Sequence, residues 1–384
     1  MNAFTKEDLK QFQAESLDDK WQRSLAKIGE WYMHWDNEVY VSFSGGKDST
    51  VLADICAFWC KCIGATLYLV FVNTGLEYPE IQKFVKEYAQ YLRDKYGIEV
   101  VLEILRPKMR FDEVIKKYGY PIIGKRQANA VSLARKNLED GVYSLRLAHL
   151  GMSFEEAKNI GLRMPADELL ERYKKTLENS MFNVHKYKPL LYVDFKISDK
   201  CCDVMKKTPA YEYQKRTGRN PILATMTSES MLREKSWLQN GCNAFNSEHP
   251  HSAPMSFWTE QDVLQYIKNE QLPIASVYGD IIYEVYPDQM RIEDYGIECG
   301  GREKLCTTGC SRTGCIFCGF GCHLETSPSR FERDKITHPR QYEYCIGGGE
   351  YNEDGIWQPS KEGLGMGHVF DVLNNIYGKD FIKY

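Results

Sequence analysis

Val39-Tyr-Val-Ser-Phe-Ser-Gly-Gly-Lys-Asp-Ser-Thr50 is the stretch whose reading decides the fold. An alternating β-branched and aromatic run, the pattern of a strand, ends in Ser44-Gly45-Gly46-Lys47-Asp48-Ser49. Val51-Leu-Ala-Asp-Ile-Cys-Ala-Phe58 then follows at helical spacing. Strand, glycine turn and helix N-terminus make an anion cradle. Successive backbone N–H groups and the positive end of the helix dipole converge there, and the glycines allow close approach. With a lysine and two hydroxyls on the same turn, the segment is predicted to bind phosphate. It is not the ATPase P-loop, which needs a Ser or Thr after Gly-Lys to ligate magnesium; Asp48 stands there instead. The dinucleotide fingerprint G-x-G-x-x-G is also absent from this turn.

Outward from this unit, Leu17, Trp21, Leu25, Ile28, Trp31, Tyr32 and Trp35 recur every three or four residues and predict a helix over 15–35 that packs on the sheet. Buried strands are predicted at 65–72 and 98–105, with a helix over 79–96 between them. Strands alternating with helices of this length predict a parallel α/β sheet flanked by helices. Such sheets bind ligands at the C-terminal ends of their strands, near the reversal of strand order. Both the glycine turn and Asn73-Thr74-Gly75 fall on that edge. Residues 106–188 read as a helical insertion. Between Arg106 and Arg146 ten Lys/Arg face four Asp/Glu, which fits either a solvated helical face or a polyanion-contacting surface. Strand character resumes at 221–226, a helix follows at 258–267, regularity falls away after residue 281, and a closing helix is expected at 369–377. The expected organisation is an N-terminal helical segment 1–38, a nucleotide-binding α/β domain 39–275, a Cys-rich segment 276–330 and a C-terminal segment 331–384.

The 384 residues are 43% hydrophobic and 27% charged, with net charge −4, ordinary for a globular protein and without a global nucleic-acid signature. The longest apolar stretch, near 63–72, is too short to span a bilayer. Met1-Asn-Ala-Phe-Thr-Lys-Glu-Asp8 lacks the blocks of a secretory signal, so a cytoplasmic location is expected. The thirteen cysteines are then expected as thiols, metal ligands or catalysts. Cys201 and Cys202 are adjacent; far downstream come Cys306, Cys310, Cys315, Cys318 and Cys322, five cysteines in seventeen residues. A two-residue gap lets two thiolates reach one metal from a tight turn, and zinc and iron–sulfur centres both accept four thiolates.

Ser44-Gly-Gly-Lys-Asp-Ser49 resembles the PP-loop of the ATP-pyrophosphatase superfamily, in which the loop holds the β and γ phosphates while ATP is cut between α and β. Cys201-Cys202 with Lys206, Lys207 and Pro209, then Cys315-x-x-Cys318, is similar to the cysteine signature of adenylyl-sulfate reductases in the phosphoadenylyl-sulfate reductase family. Arg312-Thr-Gly-Cys315-Ile-Phe-Cys318 also resembles a segment of the DNA-phosphorothioation sulfurtransferases. Phe71-Val-Asn-Thr-Gly75, Thr225-Met-Thr-Ser-Glu-Ser230 with Arg233, and Pro254-Met-Ser-Phe-Trp258 with Asp262 and Val263 extend the resemblance to the reductases.

The resemblance implies an adenine nucleotide, ATP or adenylyl sulfate, on Ser44, Gly45, Gly46, Lys47, Asp48, Ser49, Phe71, Asn73, Thr74 and Gly75, with Mg2+ at the phosphates. Lys47, Asp48 and Arg233 are the expected catalytic groups. A [4Fe–4S] cluster is expected on Cys201, Cys202, Cys315 and Cys318, with Cys306, Cys310 and Cys322 as alternate ligands and zinc as the alternative metal. Partners implied are a sulfur donor or reductant protein, a nucleic-acid acceptor through the basic stretch 106–146, and no membrane.

Two departures stand out: Asn73 replaces the usual Asp, and the reductases' C-terminal Glu-Cys-Gly-Leu/Ile-His segment is missing. Cys345, the cysteine beyond the Cys-rich region, reads as a buried thiol. The leading expectation is an ATP-using sulfurtransferase that adenylates its acceptor. A sulfite-releasing reductase of adenylyl sulfate or its 3′-phosphorylated form, and a non-catalytic nucleotide-binding subunit, are the alternatives.

Overall fold

A computed structural model describes residues 3–179, 184–286 and 302–384, so Cys299 lies outside the described residues. Contacts divide the chain into two units, Met1–Arg106 with Pro209–Gly314, and Pro107–Thr208 with Cys315–Tyr384. The first unit thus joins the α/β segment to the chain beyond the helical insertion. The Cys-rich stretch is divided between the units at Gly314 and Cys315.

The first unit begins with helices α1 (Lys6–Ala14) and α2 (Leu17–His34), the latter started by Ser16, whose hydroxyl accepts from the Asp19 amide. Strand β1 (Val39–Ser42), helix α3 (Lys47–Ile63), β2 (Leu67–Val72), α4 (Pro79–Tyr96) and β3 (Val100–Leu105) follow. After the insertion come β4 (Asn220–Ile222), α5 (Met231–Asn240), β5 (Asn243–Ala244), β6 (His251–Ser252) and α6 (Glu260–Asn269). The sheet order is β3-β2-β1-β4-β6-β5. All pairings are parallel except the edge pair β5–β6, with Val41 opposite Leu69 on one side and Ile222 on the other. Chain order therefore reverses at β1. The central, mostly parallel sheet and its flanking helices confirm the expected architecture.

Helix α3 covers the sheet with Val51, Leu52, Ile55 and Cys56, all fully buried. Burying each such aliphatic side chain contributes about 1.5–3 kcal/mol. Helix α2 approaches α3 closely because Gly29 has no side chain: a Cβ there would sit 2.7 Å from the Trp59 ring. Asp54, fully buried on α3, accepts from Lys95 Nζ on α4 and from the Tyr266 hydroxyl on α6, each at 2.9 Å. One carboxylate thereby ties three helices together. Asp262 closes the first turn of α6 by accepting from the Thr259 amide at 2.7 Å, and also receives the buried Lys20 at 2.8 Å. This is the structural role its position after Thr259 implies.

Among the described residues, regularity does not fall away after residue 281. Strands β7 (Ile281–Tyr286) and β8 (Arg302–Thr307) form an antiparallel pair. The second strand opens Arg302-Glu-Lys304, a charged run without a strand signature, so its extended conformation comes from the ladder with its partner.

The second unit is helical, with helices Phe111–Tyr118, Lys125–Glu139, Leu145–His149, Phe154–Asn159 and Asp167–Asn179 in its first segment. Arg330–Thr337, Pro339–Ile346 and Met366–Tyr377 lie in its second segment, the last being the expected closing helix. A two-residue parallel pairing of Ile122–Ile123 with Gly319–Phe320 joins the segments. Of the basic residues between Arg106 and Arg146, Arg135 is turned inward: it donates to the carbonyls of Leu190, Val193 and Phe195, and burial pulls its guanidinium down to about 10. Among the described residues no helix is long and apolar enough to cross a membrane.

Candidate active site

The turn after β1 is a glycine construction. Gly45 has φ +72°, and a Cβ there would lie 2.8 and 2.9 Å from the Val85 and Ile81 side chains of α4, so conformation and space both require glycine. The hydroxyls brace the turn from inside. Ser44 Oγ and Ser49 Oγ are 3.0 Å apart, and Ser49 and Thr50 donate to the Gly46 carbonyl at 2.9 and 3.0 Å.

Lys47 opens α3. Its amide donates to the Tyr278 hydroxyl at 3.2 Å, and that hydroxyl lies 2.6 Å from Thr313 Oγ1. The Lys47 side chain is 3% exposed, with Nζ 2.7 Å from the Ser311 carbonyl and 2.8 Å from the Glu260 carboxylate. Burial pushes the Asp48 carboxyl above its usual range, against the opposing pull of Lys47 and Arg312, and Asp48 Oδ1 is buried without a hydrogen-bond partner. These groups border a cavity of about 320 Å³ that Ser228, Glu229, Glu260 and Arg312 also line. Glu229 is paired with both Arg312 and Arg233 and accepts from the Met226 amide at 3.1 Å. Burial, then the neighbouring Arg312, lowers the Arg233 pKa. The cavity thus lies beyond the C-terminal ends of β1 and β4, where strand order reverses.

The turn after β2 is self-contained. Asn73 Oδ1 accepts from the Gly75 amide at 2.9 Å, and Thr74 donates its hydroxyl to Glu77 at 2.8 Å. The Phe71 ring is buried in the core. None of these side chains lines the cavity beside Lys47. Sequence reasoning missed Tyr278, Ser311 and Glu260 as neighbours of Lys47, because nothing local marks a residue selected by tertiary proximity. Arg312 carried a signal, its place in the Arg-x-Gly-Cys segment.

Residues 38–320 match the family model described as the phosphoadenosine phosphosulfate reductase domain. The chain belongs to that family. Membership in the phosphoadenosine phosphosulfate reductase family fits a PP-loop sheet that presents Lys47 at the strand reversal. Two uncharacterized proteins of Methanocaldococcus jannaschii are similar to parts of the chain. One is 31% identical over 34% of this chain and 27% of its own length, the other 34% identical over 29% and 25%. The chain therefore spans about a quarter of the length of these curated relatives.

The four expected metal ligands and the alternate Cys322 belong to the second unit of this reductase-family chain. Cys201 and Cys202, with sulfurs 3.9 Å apart, stand just before a π-helical turn, Asp203–Lys207. The Cys202 thiol is held below the usual thiol range by the hydrogen bond from Cys201 and by Lys125 and Lys206, although burial opposes the shift. Cys201 is pushed up by donating to Cys202, by burial and by the nearby Cys202, Cys318 and Cys315. Cys315 and Cys318 share a tight turn, the Cys318 amide donating to the Cys315 carbonyl at 3.0 Å. Cys322 is buried, pushed up to about 12 by desolvation, and donates to the Gly319 carbonyl at 3.0 Å. Cys306 and Cys310 belong to the first unit. Among the described residues, no three His, Cys or carboxylate groups already stand in a metal-binding arrangement. The donor set nevertheless fits a thiolate-bound metal: four cysteines within electrostatic reach of one another, one already favouring the thiolate, with two lysines to balance charge.

Proposed function

We propose that this chain binds ATP at Ser44–Ser49 and adenylates an acceptor for sulfur transfer. The observation carrying this reading is the buried Lys47 at the N-terminus of α3, set beside Arg312 in a cavity at the strand reversal. The loop amides and Lys47 hold the β and γ phosphates. An acceptor oxygen attacks the α phosphorus, the bond to the α–β bridging oxygen breaks, and pyrophosphate leaves with its negative charge neutralised by Lys47 and Arg312. A sulfur nucleophile then displaces AMP from the activated carbon. The buried, unpartnered Asp48 Oδ1 fits a magnesium ligand at the phosphates. Cys201, Cys202, Cys315 and Cys318 would hold the [4Fe–4S] cluster, which supplies sulfur or electron chemistry when bound. The outward-facing cations of 106–146, among them Arg126, Lys136 and Arg146, support a nucleic-acid acceptor.

Family membership supports a second reading, reduction of a sulfated adenine nucleotide with release of sulfite. That reaction needs an accessible thiolate. Cys345 is 1% exposed, is pushed well above the usual thiol range by burial, and donates to the Met366 sulfur at 3.4 Å, so it does not offer that thiolate. Anaerobically purified protein assayed in parallel should release pyrophosphate from ATP in the presence of an acceptor, and Lys47→Ala should abolish that release. Sulfite from adenylyl sulfate without pyrophosphate from ATP would replace the first reading with the second.

A further inference from the structure

The cationic side chains that line the cavity, Lys47 and Arg312, already have anionic partners from the protein itself, and Arg233 shares one of them. Lys47 Nζ is held by Glu260, and Arg312 and Arg233 are held by Glu229. The two glutamates come from different elements: Glu260 from the first turn of α6, Glu229 from the turn ahead of α5. Neither is needed where it stands to cap a helix with its charge. Asp262 closes the first turn of α6, and the Ser230 hydroxyl accepts from the Arg233 amide to start α5. Glu229 does accept from the Met226 amide, a bond that a neutral amide oxygen would also make. A phosphate needs the same lysine and guanidinium contacts that the carboxylates occupy.

We infer that Glu260 and Glu229 are built-in phosphate surrogates, which a ligand must displace from Lys47 and from the arginine pair. This inference rests on reading the cavity as a polyphosphate site. The two surrogates sit on separate cationic points, so a ligand that displaces both carries at least two anionic groups. A diphosphate or triphosphate moiety meets that requirement, and a single phosphate relieves one ion pair while leaving the other in place. The surrogates thereby lower affinity for every anion that displaces them, and a ligand that engages both cationic points bears both displacement costs.

The test is equilibrium binding of pyrophosphate and of inorganic phosphate to the full chain in metal-free buffer, by calorimetry. Glu260→Gln and Glu229→Gln should each tighten pyrophosphate by about three- to fivefold, the scale of a partly exposed ion pair. The double variant should combine the two gains, whereas inorganic phosphate should gain from one substitution only. Glu234→Gln, which removes a neighbouring carboxylate on α5 that pairs with Lys6, separates local displacement from general charge and should leave binding unchanged. Unchanged or weaker pyrophosphate binding in both single variants overturns the inference, as does an equal gain from Glu234→Gln. Lys47→Ala in the same titration keeps the two readings apart. If it leaves pyrophosphate binding intact, the site assignment fails; if it abolishes binding while the glutamate variants gain nothing, only the surrogate role fails.

Discussion

Cys202 shows how far one side chain's chemistry depends on its neighbours. An isolated thiol titrates near 8.5, whereas Cys202 accepts a hydrogen bond from Cys201 and faces Lys125 and Lys206. Metal-free protein should therefore alkylate at Cys202 with a pH midpoint below that of an ordinary thiol. Lys125→Gln should move that midpoint upward. Peptide mapping after iodoacetamide pulses between pH 4 and 9 checks this, and a midpoint near that of an ordinary thiol would contradict it. The residues that the sequence displays most openly are those whose local backbone demands them. Gly45 was legible because a positive φ and the approach of Ile81 and Val85 leave no alternative. Tyr278 and Glu260 were not, since each reaches Lys47 across a long sequence gap and looks like any other tyrosine or glutamate.

At the scale of elements, legibility follows how locally an element is specified. Helix α4 was readable because Pro79 opens it and Gly97 closes it, and α3 because an apolar run follows the glycine turn directly. Strand β8 was invisible because its charged residues are extended by pairing with β7. What holds the helices to one another is also hidden, as with the Asp54 carboxylate shared by α3, α4 and α6. Asp54→Ala removes the buried acceptor that Lys95 and Tyr266 share, while Lys95 keeps its longer pairing with Glu270 at 3.8 Å. Because Lys95 is partly exposed and can rehydrate, the expected loss is about 2–3 kcal/mol, below the range for a fully buried pair. Urea unfolding should show this as a lower midpoint at unchanged slope. A loss under about 0.5 kcal/mol, the scale of an ordinary surface substitution, would remove Asp54 from any central role in helix packing.

Across the whole molecule, the chain enters each unit twice, and this sets what a metal centre could do beyond chemistry. In the second unit Cys201 and Cys202 come from its first segment, and Cys315 and Cys318 from its second. Besides the short Ile122–Gly319 pairing, a centre on these four thiolates would be a cross-link closing a long loop. Such closure restricts the unfolded chain, and a metal that binds only the folded unit adds its binding energy to stability. Anaerobic protein should contain about four iron atoms per chain, the content of a [4Fe–4S] cluster. Cys202→Ser and Cys318→Ser should fall well below that, while Cys306→Ser, in the other unit, should retain it. Chelation should lower the thermal midpoint of the native protein and change that of Cys318→Ser little, because the variant has already lost the cross-link. Full iron content in Cys318→Ser together with iron loss in Cys306→Ser would move the centre out of the second unit, and the pairing of segments would then rest on protein contacts alone.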